Sequence, residues 1–286
     1  MENLKKDAKK FLMQLIETPS FSREEEITAL IIEKYLREKK IPFQRKGNNI
    51  WTKNLYFDEN LPTILLNSHH DTVKSNSAYT LDPFKAIEKD GKIFGLGSND
   101  AGASLVSLWA VFSHFYAQKL KYNLIYAATA EEEISGKNGV TSILEDLGKI
   151  NFAIVGEPTK MNLAIAEKGL VVLNCVAKGT ASHAAHLNDD NSIYKAVRDI
   201  QKIQNLSFDK VSEVLGKVKA TVTIVNAGSQ HNVVPDQCHF TVDVRTNELY
   251  SNSEIVEIFQ QELESKIQPR SLALNSSRID LDHPFV

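Results

Sequence analysis

Three short apolar runs in the first half of the chain each end in polar residues. They are TILLN (63–67), LIYAATA (124–130) and FAIVG (152–156). Runs of this length, bounded by polar residues, are typical of buried parallel strands. Helical periodicity precedes and separates them, at 3–17, 24–39 and 101–118. We expect Ser22 and the acidic turn after it to open the second helix. The pattern predicts an α/β fold with a mostly parallel sheet covered by helices on both faces.

The second half has a different pattern. Three stretches alternate apolar and polar positions, at 169–179, 219–229 and 237–247. Such alternation predicts an antiparallel sheet with one covered face. Helical stretches at about 190–204 and 252–266 would supply the cover. We therefore predict a second domain of α+β type over residues 165–275, after a first domain that includes residues 1–164.

The composition is that of a soluble globular protein of one or two domains, with 286 residues, 42% hydrophobic and 24% charged. A net charge of −3 gives no electrostatic reason to expect a nucleic acid or an anionic membrane as partner. The two cysteines, Cys175 and Cys238, lie in alternating runs and are expected to be reduced strand residues. Neither a signal peptide nor a membrane span is expected, so the cytoplasm is the default location.

Acidic residues follow each of the three apolar runs. His69 and Asp71 follow the first run, Glu131–Glu133 the second and Glu157 the third, while Asp100 lies in a glycine-rich turn before the long helix. Parallel strands end at one edge of a sheet, so these groups should converge. Carboxylates this close repel one another unless cations neutralise them, and the set suits one or two divalent ions such as zinc.

Each acidic segment also has a simpler interpretation. The HHD segment could be a polar loop, Glu131–Glu133 the acidic first turn of a helix, Asp100 an N-cap, and Glu157 part of a turn before Pro158. These separate readings do not explain why acids follow successive strands. Together the acids favour a metal site, in which one of two adjacent glutamates binds metal and the other acts as general base.

Six motifs in a fixed order resemble one enzyme family. They are NSHHDTV, GLGSNDAGAS, ATAEEEISG, VGEPT, GTASHAAH and NVVPDQCHFTVDVRT. The family is that of the co-catalytic zinc amidohydrolases, which includes acetylornithine deacetylase, succinyl-diaminopimelate desuccinylase, aminoacylase and carboxypeptidase G. The resemblance implies two zinc ions, which cobalt can replace, a catalytic domain with an inserted dimerisation (lid) domain, and a homodimer.

The resemblance also implies a role for each matching residue. The implied metal ligands are His69 and Glu157 on the first metal, Glu133 on the second, and Asp100 bridging both. Glu132 matches the general base, and Asp71 matches an aspartate that tunes the first site from behind His69. In the second domain His183 matches a histidine that steadies the oxyanion across a dimer interface. Asn232 and Arg245 match groups that hold the substrate, and an arginine fork suits an α-carboxylate.

The sequence departs from the family pattern at several positions. Ser68 replaces a glycine, Glu131 replaces a commoner aspartate, and AGAS follows Asp100; none of these removes a ligand. A more consequential departure concerns the histidine that closes the second metal site far downstream in the family. The DHPFV segment resembles the family segment in which the chain re-enters the catalytic domain. Residues 276–286 are therefore assigned to the first domain. His283 is not expected to replace the closing histidine.

This departure leads to the expectation that the chain lacks its last segment. On that basis the second metal should bind weakly, apolar surface should be exposed and deacylation should be severely reduced.

The resulting hypothesis is zinc-dependent hydrolysis of the amide bond of a small N-acyl amino acid, most simply N-acetylornithine in arginine biosynthesis. The alternatives are a succinyl-diaminopimelate or succinylornithine desuccinylase, an acetylcitrulline deacetylase, an aminoacylase or a dipeptidase. Outside this class stand an inactive fragment that still dimerises and an ordinary metal-free α/β protein.

Overall fold

The fold was obtained as a computed structural model, which describes residues 2–284 and Val286. Two compact units make up the chain: the first ends at Met161 and the second begins at Asn162. This division lies close to the boundary expected at residue 165. Of the segment DHPFV, Phe285 lies outside the described residues.

The first unit contains both helices and strands. In chain order they are α1 (Glu2–Ile16), α2 (Glu26–Glu38), β1 (Gln44–Lys46), β2 (Asn49–Lys53), β3 (Thr63–His69), β4 (Ile87–Lys89), β5 (Lys92–Phe94), α3 (Ala103–Phe115), β6 (Asn123–Thr129), α4 (Leu144–Leu147) and β7 (Phe152–Val155). A π-helical turn, Ser98–Gly102, precedes α3, and a 3₁₀ turn, Val140–Ile143, precedes α4.

The main sheet of this unit is mixed rather than mostly parallel. Its strand order is β1-β2-β6-β3-β7. The three strands expected from the apolar runs are confirmed, and β3 pairs in parallel with both β6 and β7. The antiparallel hairpin β1–β2 was not predicted, because its residues surround the KGNN turn and lack a clear apolar run. The expectation of a mostly parallel sheet therefore holds only for the part formed by β6, β3 and β7.

Apolar layers cover both faces of this sheet, as expected. Side chains of α1, α2 and α3 pack on one face, where the buried Trp109 ring lies edge-on to both Tyr35 and Tyr126, each with centroids 5.4 Å apart. On the other face Leu65 and Ile125 pack against Ile143 and neighbouring residues of the short helical segments. The burial of both faces fixes β3 and β6 as a rigid base for the residues at their ends.

The start of α2 differs from the expected one. The helix begins at Glu26, and its N-cap position is held by Glu25 rather than by Ser22. The Ser22 hydroxyl instead donates to Asp71 Oδ2 at 2.8 Å. The polar residues before this helix are thus engaged with the ends of the strands.

The second unit is an antiparallel sheet with helices. Its elements are β8 (Ala166–Glu167), β9 (Gly169–Lys178), β10 (Ser182–His183), α5 (Ser192–Asn205), β11 (Lys219–Ala227), β12 (Val233–Val234), β13 (Gln237–Thr246), α6 (Asn252–Glu262), β14 (Lys266–Pro269) and β15 (Ser277–Arg278). The larger sheet has the order β11-β13-β9-β14, and all its pairs are antiparallel. Alternate residues of β9 and β13 pack against α5 and α6, which confirms the expected α+β arrangement.

The two cysteines and the last strand of this unit can be compared with the expectations from the sequence. Cys175 and Cys238 are buried, unbridged strand residues, as expected. Strand β15 pairs with β8, so residues 277–278 are held within the second unit. The assignment of 276–286 to the first domain stays a prediction. Among the described residues no helix is long and apolar enough to span a bilayer.

Candidate metal centre

The three parallel strands place their following residues at one edge of the sheet. His69 is the last residue of β3 and lies beside Thr129, the last residue of β6. At the other side of β3, Val155 of β7 lies beside Asn67. The chain leaves β6 toward Glu132 and leaves β7 toward Glu157. The convergence expected from the sequence follows from this register.

His69 is the centre of the cluster. Its Nδ1 lies 3.0 Å from the backbone carbonyl of Asp71, so Nδ1–H donates to that oxygen. The other ring nitrogen, Nε2, faces three carboxylates: Asp100 Oδ1 at 3.2 Å, Glu132 Oε2 at 3.8 Å and Glu157 Oε2 at 3.8 Å. A histidine held through one nitrogen and aimed at acids through the other has the geometry of a metal ligand.

Two overlapping sets of side chains fit metal ions. His69, Glu132 and Glu157 form one set, and His69, Asp100 and Glu133 form the other, each with its ligand atoms within 4.8 Å of one another. Four ligands held tetrahedrally at zinc bond lengths lie about 3.3 Å apart, so the separations around His69 Nε2 suit such an ion. A histidine with several carboxylates is also a suitable donor set for zinc. The residues present therefore fit one or two divalent ions.

Asp71 is fully buried and holds the turn after β6. Its Oδ1 accepts from the amide of Glu132 at 3.0 Å, and its Oδ2 accepts from the amide of Glu133 at 3.2 Å. Burial tends to raise its pKa, but hydrogen bonds from His69, Ser22 and the Glu132 amide outweigh this and lower the pKa. Asp71 therefore stays ionised behind His69 and orients both glutamates.

Asp100 reaches the cluster from the π-helical turn. This turn starts after Gly97, whose φ of +73° is left-handed, and a Cβ there would lie 2.7 Å from Thr72 Cγ2. The residue directly before α3 is Gly102, so Asp100 is not the N-cap of that helix. Asp100 is therefore not a helix cap, and its Oδ1 lies 3.2 Å from His69 Nε2.

Glu157 is brought close to His69 by a tight crossing at Gly156. A Cβ on Gly156 would lie 2.9 Å from Ser104 Cβ and 3.3 Å from Ser68 Cβ. The Ser68 hydroxyl donates to the Gly156 carbonyl at 2.8 Å. The serine at the family's glycine position therefore ties the end of β3 to the turn that carries Glu157.

The surroundings of the cluster shift the pKa values of three of its side chains. Burial lowers the pKa of His69, but its hydrogen bonds to Asp71 and Glu157 and their charges prevail and raise the pKa to about 11. Burial raises the pKa of Glu132, and nearby carboxylates, first that of Glu157, add to the effect. Burial and then Asp100 raise the pKa of Glu133. The acids of the cluster thus disfavour one another's ionised forms, and a cation would remove this repulsion.

An open depression lies beside Asp100 and Glu133. Thr72, Val73, Tyr79 and the segment 95–100 line it. Tyr79 and Val73 are exposed, and neither was singled out in the sequence because no motif marks a loop side chain of this kind.

The structure also reveals two buried polar residues that the sequence analysis did not select. Glu25 is fully buried, although SREEE suggested only an acidic helix start. The other is His70, whose ring bonds to Thr28 Oγ1 and to the Asn48 carbonyl, both at 2.9 Å. Burial lowers the pKa of His70, so its ring is neutral.

The three residues expected from the second domain lie within the second unit. His183, in β10, pairs with Val233 of β12, and the amide of Ala184 donates to the Asn232 carbonyl at 2.9 Å. Arg245 forms a two-bond ion pair with Asp243 on the same strand, at 2.9 and 3.2 Å. Their roles stay predictions.

The fold and the cluster together define an α/β protein with a candidate site for divalent metal ions. The family model for "Peptidase family M20/M25/M40" matches residues 65–277. The chain belongs to this family, which confirms the resemblance noted in the sequence.

Named relatives include both deacetylases and desuccinylases. A succinyl-diaminopimelate desuccinylase of Wolbachia pipientis wMel is 26% identical over 243 residues, 79% of this chain and 61% of the relative. An acetylornithine deacetylase of Myxococcus xanthus is 30% identical over 190 residues, 64% of this chain and 49% of the relative. The matches thus span less than two thirds of either relative.

Solved structures share the fold. The YXEP protein of Bacillus subtilis, named a dinuclear metal binding peptidase from the M20 family, has a TM-score of 0.72 and 18% identity. The match covers 98% of this chain and 77% of that protein. A metallo-carboxypeptidase of Sulfolobus solfataricus gives a TM-score of 0.72 and 15% identity, over 95% of this chain and 79% of that one. At these identities the similarity concerns the fold.

Proposed function

We propose that this protein hydrolyses the amide bond of a small N-acyl amino acid with the help of divalent metal ions. The observation that carries the proposal is the convergence on His69 Nε2, at the end of β3, of carboxylates from two other strand ends and one turn. Family membership supports the class of reaction.

Two ions, zinc by preference, would be held by His69, Asp100, Glu133 and Glu157. When bound, they supply Lewis-acid polarisation of the amide carbonyl and acidification of a water molecule. Glu132 is the general base in this proposal: it takes a proton from the water and passes it to the leaving nitrogen. Its raised pKa and its position 3.8 Å from His69 Nε2 support that role.

N-acetylornithine is the first substrate we propose, as a step of arginine biosynthesis. The acetylornithine deacetylase of Myxococcus xanthus supports it. N-succinyl-diaminopimelate is the second candidate, because the relative from Wolbachia pipientis is named for its desuccinylation. We further propose that part of the substrate occupies the depression lined by Val73 and Tyr79.

Three residues of the second unit also have roles in the proposal. We propose that His183 stabilises the oxyanion and that Asn232 and Arg245 hold the substrate. Arg245 would exchange its ion pair with Asp243 for a carboxylate of the substrate, which is feasible because that pair is partly exposed.

A homodimer is also part of the proposal. Strand β11 forms one edge of the larger sheet, and Ile224 and Val225 on it are exposed. Tyr194 and Val197 on α5 are exposed as well. An apolar edge of this kind is prone to pair with another chain. Sedimentation analysis tests this: the mass of a dimer would support the proposal, whereas a monomer at micromolar concentration would contradict it.

The test of the function is an activity panel with added zinc or cobalt. N-acetylornithine, N-succinyl-diaminopimelate, other N-acyl amino acids and dipeptides are offered to the wild type and to Glu132→Gln. Loss of a general base lowers the rate by about 10²- to 10⁴-fold, and kcat should fall by that factor. Glu59→Gln, at an exposed position, is the matched control and should keep wild-type activity. Equal turnover by wild type and Glu132→Gln would refute the proposed base.

A further inference from the structure

Three successive backbone amides of the turn after β6 donate to buried carboxylates. The amide of Glu131 donates to Glu25 Oε1 at 3.2 Å, and those of Glu132 and Glu133 donate to the two oxygens of Asp71. We propose that Glu25 is a positioning residue of the metal centre, which acts on Glu132 and Glu133 through the backbone of this turn. The proposal rests on the proposed function for its catalytic consequence.

Glu25 is buried without a cationic partner. Its exposed fraction is 0%, and no lysine, arginine or histidine of the described chain forms an ion pair with it. It accepts instead from the amide of Arg23 at 2.7 Å and from Asn48 Nδ2 at 3.0 Å, besides the amide of Glu131. Burial of a carboxylate is costly, and neutral donors together with the N-terminus of α2 offset the cost. A residue needed only for packing would be apolar here.

The residue that Glu25 holds has a backbone conformation that needs support. Glu131 has φ +54°, in the left-handed region, which costs a non-glycine residue about 1 kcal/mol or more. Its side chain is turned inward, where Asn138 Nδ2 donates to Oε1 at 2.8 Å. Its carbonyl accepts from the amide of Gly136 at 2.8 Å. This conformation is what directs Glu132 and Glu133 toward His69 rather than along a continued strand.

A ring of hydrogen bonds links Glu25 to the end of β3 as well. Asn48, which donates to Glu25, accepts at its carbonyl from His70 Nε2. The other ring nitrogen of His70, Nδ1, is hydrogen-bonded to Thr28 Oγ1, which lies one turn along α2 from Glu25. Because His70 directly follows His69, the same network supports both the histidine and the glutamates of the centre. Glu25 thus joins two ligand-bearing segments that are 62 residues apart, from His69 to Glu131.

The test compares Glu25→Gln with Glu24→Gln. Glutamine keeps the size of Glu25 but turns one acceptor oxygen into a donor, so it loses either the bond from Asn48 Nδ2 or the bonds from the amides of Arg23 and Glu131. Glu24 is the exposed neighbour, so its variant is the matched control. The readouts are cobalt(II) affinity with the visible spectrum of the bound ion, amide hydrogen exchange at 131–133, and kcat and KM on the substrate found by the panel.

We expect Glu25→Gln to bind cobalt about 10-fold or more weakly, as is usual when the groups behind metal ligands are altered. Exchange at 131–133 should quicken while exchange in β3 and β6 stays slow. For catalysis, kcat should fall with little change in KM. Glu24→Gln should match the wild type in all three measurements.

Two results would overturn the inference. One is wild-type cobalt affinity and wild-type exchange at 131–133 in Glu25→Gln. The other is a drop in unfolding free energy with those two measurements unchanged, since Glu25 would then be only structural. If Glu25→Gln does not fold, Glu25→Asp keeps both oxygens on a shorter side chain, and the same two outcomes decide the question. Weaker cobalt binding in a chain that hydrolyses none of the panel would support the inference and contradict the proposed function.

Discussion

The Nδ1–H of His69 donates to the backbone carbonyl of Asp71 at 3.0 Å, within two residues along the chain. This bond fixes which ring nitrogen keeps its hydrogen and leaves Nε2 as the one that faces Asp100. The orientation of the ring therefore depends on the backbone at the end of β3.

Metal binding should release a proton from His69. Its pKa is raised to about 11, so the metal-free imidazole carries both protons at pH 8. An ion on Nε2 must displace one of them, and affinity should therefore rise with pH throughout the range below 11. We expect about one proton released per ion bound at the His69 site, measured at pH 8 by calorimetry in buffers of different ionisation enthalpy. His69→Gln is the control, and proton release by that variant equal to the wild type would contradict the assignment.

Asp71→Asn should impair the centre although Asp71 is not a ligand in our assignment. One oxygen that accepts from the Glu132 or Glu133 amide becomes a donor, so one of these bonds is lost. Changes behind metal ligands cost about 10- to 100-fold in metal affinity or activity, and we expect a loss in that range. Zinc affinity measured with a competing chelator checks this. Asp90→Asn in the β4–β5 hairpin is exposed and should bind zinc as the wild type does.

The sequence could predict the strands because burial on both faces of a sheet leaves a continuous apolar run. β3, β6 and β7 were located in this way, and the acids after them followed from the common edge of parallel strands. The hairpin β1–β2 could not be found, since its short strands carry no such run. Side-chain direction was also beyond reach. Nothing in SREEE distinguishes Glu25, which is buried, from its exposed neighbours Glu24 and Glu26.

The residues of the site could be predicted from the sequence better than their arrangement in space. His69 and Asp71 could both be named from the sequence, but the bond that orients the ring is made by the Asp71 backbone. The Asp71 carboxylate serves mainly the amides of the glutamate turn. These contacts depend on the left-handed conformation of Glu131, which no local sequence signal at a glutamate announces.

Gly156→Ala should displace Glu157 from the cluster. The added methyl would lie 2.9 Å from Ser104 Cβ and from Leu108 Cδ1, so α3 or the turn after β7 must shift. Overpacking of this kind costs about 1–3 kcal/mol of unfolding free energy. We expect that loss in urea denaturation, together with weaker binding of a metal ion.

The control for this substitution is Gly91→Asn in the β4–β5 hairpin. A Cβ at Gly91 has no atom within 4 Å, and asparagine tolerates the left-handed backbone there. Its stability and metal binding should stay near those of the wild type. If Gly156→Ala were as stable as the wild type and bound metal as tightly, the crossing at Gly156 would have to be looser than described.

Tyr35→Phe should destabilise the first unit without touching the metal centre. The Tyr35 hydroxyl accepts from Trp109 Nε1 at 3.0 Å and donates to the Asp7 carboxylate. Trp109 is buried, so loss of the hydroxyl leaves its N–H without an acceptor, at a cost of about 1–3 kcal/mol. Asp7 keeps its ion pair with Lys39, which limits the effect on that side.

Urea denaturation followed by tryptophan fluorescence measures the loss, and Tyr56→Phe, at an exposed position, is the matched control. Equal unfolding free energies for the two variants would mean that the Trp109 N–H finds another acceptor once the hydroxyl is gone. Cobalt affinity should be the same in both, because neither ring contacts the residues around His69.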